Sequence, residues 1–149
     1  MGRGARLLSC SVIGSTVVVV TLVLATLVGV VMRRRNGVAR EVRGDVERLT
    51  SGDIHAELGE RATLVQFSTS FCQPCRATRR ILGEVAGMVP GVAHVEIDAE
   101  SRLDLVRSLN ILRTPTVLVL DASGRVVKRA SGQPRKADVI GALGLAVGE

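Results

Sequence analysis

The chain has 149 residues, 20 Lys and Arg against 14 Asp and Glu, and a formal net charge of +6; 46% of it is apolar and 1% aromatic. That length suits one domain of ordinary size. Only four prolines and no internal period of about 20–50 residues exclude collagen-like and repeat architectures, and the apolar content excludes a disordered chain. The charge is unevenly placed. Residues 1–43 hold seven arginines and one glutamate, the whole of the +6, whereas residues 44–149 hold 13 basic and 13 acidic side chains. A charge-balanced body whose only aromatics are Phe67 and Phe71 has neither the basic face nor the stacking platform of a nucleic-acid binder, so no nucleic-acid partner is expected.

After a short tail, residues 1–11, the run Val12 to Met32 contains 21 residues and no charge. At about 1.5 Å per residue a helix of this length spans roughly 30 Å, the thickness of a bilayer core. Its Val and Thr residues are poor helix formers in water, but in lipid the backbone has no partners other than its own. The sequence therefore predicts a transmembrane helix over 12–32 in contact with membrane lipid. A cleavable signal peptide is the competing reading; the run is long for one, and no Ala-x-Ala site follows it. A buried core helix would be shorter and less uniform around its faces. Leu7-Leu8-Ser9-Cys10 resembles a lipoprotein cleavage box but precedes the apolar run, and Cys10 reads as an inert small residue. Five arginines (33, 34, 35, 40 and 43) follow the run and two, Arg3 and Arg6, precede it. The positive-inside bias then predicts a single-pass cell-membrane protein with its body on the cytoplasmic side, the extracytoplasmic arrangement being the alternative.

Residues 33–45 read as a basic linker, and residues 46–149 as the folded domain. Val46–Thr50 reads as a short strand. Ser51 offers an N-cap, Asp53 sits in the first turn and Gly59 offers a stop, predicting a helix near 52–58 with His55 on its solvated side. Thr63–Ser68 is β-branched and apolar and predicts a buried strand. Residues 73–88 place Ala77, Ile81, Leu82, Val85 and Met88 near helical spacing, with Pro74 at the start, where its missing N–H costs nothing. Val92–Ile97 reads as a strand, Ser101–Leu109 as a helix and Thr116–Leu120 as a strand. Ala122-Ser123-Gly124 reads as a hairpin turn and Val126–Ala130 as its return strand. A last helix follows Gly132, over 135–146. Strands alternating with helices predict an α/β fold: a central mixed sheet with helices on both faces and a terminal antiparallel hairpin.

Cys72-Gln73-Pro74-Cys75 falls at the junction of the 63–68 strand and the 73–88 helix. Unpaired N–H groups and the macrodipole at a helix N-terminus stabilise an anion, so Cys72 should have a lowered pKa, and Arg76, Arg79 and Arg80 add positive charge nearby. More thiolate means faster attack on a disulfide. Cys75, one turn on, lies within bridging reach. Downstream, Thr114-Pro115 precedes a strand, where a cis peptide bond is well placed. With the strand "TLVQF", the "FCQPC" centre, "VEID", "RTPTVLVL", the "DASGRVV" hairpin and Gly132, residues 46–146 resemble the thioredoxin family. The resemblance implies a thioredoxin-like fold and thiol–disulfide exchange with protein disulfide or dithiol substrates, recharged by a reductant or oxidant the sequence does not identify. It implies Cys72 as the nucleophile, Cys75 as the resolving partner of a redox-active disulfide, and Thr114 and Pro115 as substrate-binding residues. Phe71 stands where the family usually has Trp, beside the substrate. No cofactor is implied.

The departures bear on mechanism. Gln73 replaces the usual Gly. Gln66 occupies the position of a buried Asp in family reductases, and an amide cannot take a proton from Cys75. His94 matches the family's partner lysine and is a candidate for proton transfer, or else a strand-edge histidine with no role. A second reading follows: a non-enzymatic thioredoxin-like module that binds partners or senses redox state at the membrane. A zinc site would need a second ligand pair, and only Cys10, His55 and His94 remain, so no metal is expected. Eighteen Arg against two Lys suggest GC-rich coding, as in an actinobacterium.

Overall fold

The computed structural model describes residues 4–35, 40–41 and 48–148, in two compact units divided after Arg35. The first unit is one helix, α1 (Gly4–Arg35). It extends the predicted 12–32 span at both ends. Its window Ser15–Met32 has a mean hydropathy of 2.5 and is long and apolar enough to cross a membrane; a signal sequence meets the same criterion. Residues 15–32 are exposed on every side, with no separate polar face. Thr21 and Thr26 donate their hydroxyls to the carbonyls of Val17 and Leu22, which hides those polar groups within the helix.

The second unit runs β1 (Arg40–Glu41), α2 (Ser51–Ile54), β2 (Ala62–Ser68), α3 (Gln73–Met88), β3 (Val92–Asp98), α4 (Leu103–Ser108), β4 (Thr116–Asp121), β5 (Val126–Ser131) and α5 (Lys136–Val147). Its mixed sheet has the order β1-β5-β4-β2-β3, with β2 and β3 parallel and the other neighbours antiparallel. This is the expected α/β architecture. Strand β2 is central and buried at all seven positions, as a near-continuous apolar run should be. Its alternate residues feed two cores. Val65 and Phe67 pack with Leu118, Leu120, Ile54 and Leu105 on the α2/α4 face. Ala62 and Leu64 pack with Leu82, Val85, Val119 and Leu143 on the α3/α5 face. Leu64 and Leu118 are fully buried, and truncating either to Ala would cost about 2–5 kcal/mol.

Three expectations need correction. The first helix of the domain is Ser51–Ile54, not 52–58, and its N-cap is Thr50, which with Asp53 forms a reciprocal capping box. It stops early because His55 turns left-handed, at φ 51°, so His55 is a C-cap outside the helix. Gly59 serves a different purpose: a Cβ there would overlap the backbone oxygen of Ala62. The expected strand at 46–50 reduces to a single bridge from Arg48 to Arg125; residues 46 and 47 lie outside the described residues. Conversely, Arg40–Glu41, in the stretch read as linker, pairs with Arg129 and Lys128 of β5. The predicted hairpin is present, and Gly124 is required in it: φ is +81° and a Cβ would strike the Leu49 carbonyl oxygen.

Candidate redox site

Cys72 is the N-cap of α3, and its sulfur accepts the Cys75 N–H at 3.2 Å. Pro74 in the first turn fixes the helical φ without wasting a donor. The cysteines are joined in a disulfide, with Cα atoms 5.2 Å apart. They differ in access: Cys72 is half-buried and Cys75 is 2% exposed. Of the two, Cys72 is the one that solvent reaches.

The Thr114–Pro115 bond is cis, and Gly132 N donates to Pro115 O at 2.7 Å, tying the start of β4 to the end of β5. The Thr114 hydroxyl lies 3.3 Å from that of Thr69, two residues before Phe71 in the loop leading to Cys72. Thr114 is therefore brought beside the cysteine loop. Phe71 is 96% exposed, and Leu112, two residues before Thr114, is 86% exposed. A shallow, mainly apolar cleft of about 290 Å³ includes Leu112 in its lining, with Thr69, Leu103, Val106, Ile111 and Thr114 among others.

The cysteines themselves line a polar cavity of about 500 Å³, with Ser68, Thr69, Arg76, Arg79 and Glu96 among others. Of the three arginines expected to favour the thiolate, Arg76 and Arg79 reach this cavity and Arg80 does not line it. Arg79 is already paired with Glu96, at 2.6 Å, which cancels much of its influence on Cys72. Burial pushes the Glu96 carboxyl up, but hydrogen bonds from Arg79 and Ser68 outweigh it, and the net pKa is lowered.

Gln66 is fully buried beneath α3. Its amide nitrogen donates to Cys75 O at 2.9 Å and to Ser68 Oγ at 2.8 Å, and Ser68 Oγ donates to Glu96 at 2.6 Å. A polar chain thus leads from the backbone of Cys75 to a surface carboxylate. Ser68 and Glu96 were missed from the sequence. Alternation along β3 puts Glu96 on one face with His94, but only the parallel register with β2 sets Glu96 opposite Gln66. His94 lies two residues back on β3, opposite Leu64, and does not line the cavity at the cysteines. Burial lowers its pKa; Glu96 opposes and Arg79 reinforces the shift. Among the described residues, no group of three or more His, Cys, Asp or Glu side chains could hold a metal.

A parallel β2–β3 pair, an antiparallel β4–β5 hairpin, a cysteine pair capping α3 and a cis-proline entering β4 together define a thioredoxin-like domain. The thioredoxin family model matches residues 46–143, and the chain belongs to that family. It is 24% identical over 92 residues to the thioredoxin of Staphylococcus epidermidis (strain RP62A), covering 61% of this chain and 88% of that one. It is 35% identical over 71 residues to thioredoxin domain-containing protein 2 of Homo sapiens, covering 46% of this chain and 13% of that one. Its fold matches a mutant thioredoxin from Halobacterium salinarum NRC-1 with a TM-score of 0.54 at 16% identity, covering 59% of this chain and 76% of that one. The chain spans about half the length of some of the plant thioredoxins it matches, 51% for thioredoxin H2-1 of Oryza sativa.

Proposed function

We propose that this protein is a thiol–disulfide oxidoreductase, anchored in the bacterial cell membrane by residues 12–32, whose domain (46–149) exchanges disulfides with partner proteins on the cytoplasmic side. The observation that carries the activity is the disulfide pair at the N-terminus of α3, with an accessible Cys72 and a buried Cys75. The Cys72 thiolate attacks one sulfur of a partner disulfide; the other leaves as thiolate. Cys75 then attacks Cys72, closing the internal disulfide and releasing the partner as a dithiol. A cellular dithiol resets the pair. Thr114 and Pro115 offer the backbone edge along which the partner lies, and Phe71 supplies an exposed apolar contact next to the reacting sulfur. His94 remains a candidate for proton transfer at one remove from the pair.

A non-enzymatic redox-sensing or partner-binding module is the second reading, favoured by Gln66, which puts an amide rather than an acid beneath Cys75. Turnover of a protein disulfide by the full chain, with dithiothreitol as reductant, separates the two. The enzyme reading requires the wild type to exceed Cys72→Ser; equal rates would sink it.

A further inference from the structure

Gln66 Oε1 is buried with no hydrogen-bond partner among the described residues. Its orientation is forced. The Cys75 carbonyl can only accept. The single Ser68 proton goes to Glu96, an ionised carboxylate held by Arg79, so Ser68 can only accept from position 66. Turning the amide over would aim its oxygen at two acceptors. The charge of Glu96 thus sets the direction of the whole chain and leaves Oε1 as a buried acceptor, on a side chain already bound to Cys75.

In the disulfide neither sulfur carries hydrogen, so neither can satisfy that oxygen. Reduction by a dithiol breaks the Cys72–Cys75 bond and transfers two electrons and two protons; two S–H bonds form and the reductant closes its own disulfide. Cys75, 2% exposed, then becomes a buried thiol, and burial disfavours its thiolate. We propose that Gln66 is a positioning residue that holds reduced Cys75 as the neutral thiol, with Oε1 accepting the new S–H, and so biases the pair toward its dithiol form. The inference rests on reading the pair as redox-active.

The test uses the full chain in detergent with Cys10→Ser, so that only the pair reports. Equilibration with glutathione buffers should show Gln66→Met shifted toward the disulfide by about tenfold, or about 30 mV for a two-electron couple, because a hydrogen bond of the reduced form is lost and an unsatisfied acceptor of the oxidised form is removed. A shift under about twofold, or toward the dithiol, overturns the proposal. If Gln66→Met does not fold, Cys72→Ser leaves Cys75 as the one thiol with Gln66 intact. Its infrared S–H stretch should lie at the lowered frequency of a hydrogen-bonded thiol; a free-thiol band overturns the proposal. Neither readout needs turnover. Absent turnover with a tenfold shift would defeat the oxidoreductase reading and support this one.

Discussion

The side-chain amide of Gln66 crosses from the central strand to the first turn of α3 and donates to the main-chain oxygen of Cys75 at 2.9 Å. The redox helix is therefore pinned to the sheet by a neutral group at the point where its second cysteine turns inward. Gln66→Met keeps the volume and removes two hydrogen bonds, but it also removes the unsatisfied oxygen. The oxidised protein should lose only about 1 kcal/mol in urea unfolding. The reduced protein should lose more, since its S–H acceptor goes too. Equal losses in the two redox states would contradict that account.

Cys75→Ser should trap partners. With Cys72 left as the sole thiol of the pair, the mixed disulfide forms and nothing displaces it. Non-reducing electrophoresis of membranes should show adducts that vanish with reductant and are absent from Cys72→Ser. Adducts that persist in Cys72→Ser would assign attack to another thiol and remove Cys72 from its role.

The Arg79–Glu96 pair sets the ionisation of the polar chain. Glu96 titrates below its ordinary value, so its contribution to stability is present above the unfolded pKa, about 4.3, and is lost as pH falls through the lower folded value. Arg79→Gln should raise the Glu96 pKa toward the ordinary range, read by carbon NMR of its carboxyl, and narrow that acid window. An unmoved Glu96 titration would mean that Ser68 rather than Arg79 holds the charge.

Much of this site was legible because its signals are local. The Cys72–Cys75 spacing, Pro74 and the preceding apolar strand each act within a few residues, and the Thr114-Pro115 dipeptide marks its own bond. The second helix was misread because Gly59 looked like its stop. The stop lies at His55, a left-handed C-cap without the glycine that usually marks one. The Arg40–Glu41 pairing escaped because two residues carry no periodicity. Glu96 and Ser68 escaped for a different reason: their meaning arises from the register between β2 and β3, a long-range choice that neither strand's sequence states.

The apolar window of α1 yields a prediction separable from the chemistry. If residues 12–32 remain as an anchor, the chain should stay in the membrane pellet after alkaline carbonate washing. The arginines flanking the window predict that protease reaches the domain only after the cell membrane is permeabilised. A soluble, shortened chain would mean that the window is a cleaved signal sequence. Digestion in intact cells would place the domain outside.

His94 should make the domain sensitive to mild acid. Burial holds its pKa below the ordinary 6.5, and its Nε2 has no hydrogen-bond partner among the described residues. The unfolded chain therefore takes up a proton at a pH where the folded one does not. Stability should be full above about pH 6.5 and fall as pH drops from there toward the lower folded pKa. His94→Gln should remove that slope, measured as urea midpoints across the range. The neighbouring charges give the argument a second check. Glu96→Gln removes the anion that favours the imidazolium and should lower the His94 pKa further; Arg79→Gln removes the opposing cation and should raise it. Shifts of the opposite sign in imidazole NMR titrations would show that the Arg79–Glu96 pair does not act on His94 in this way.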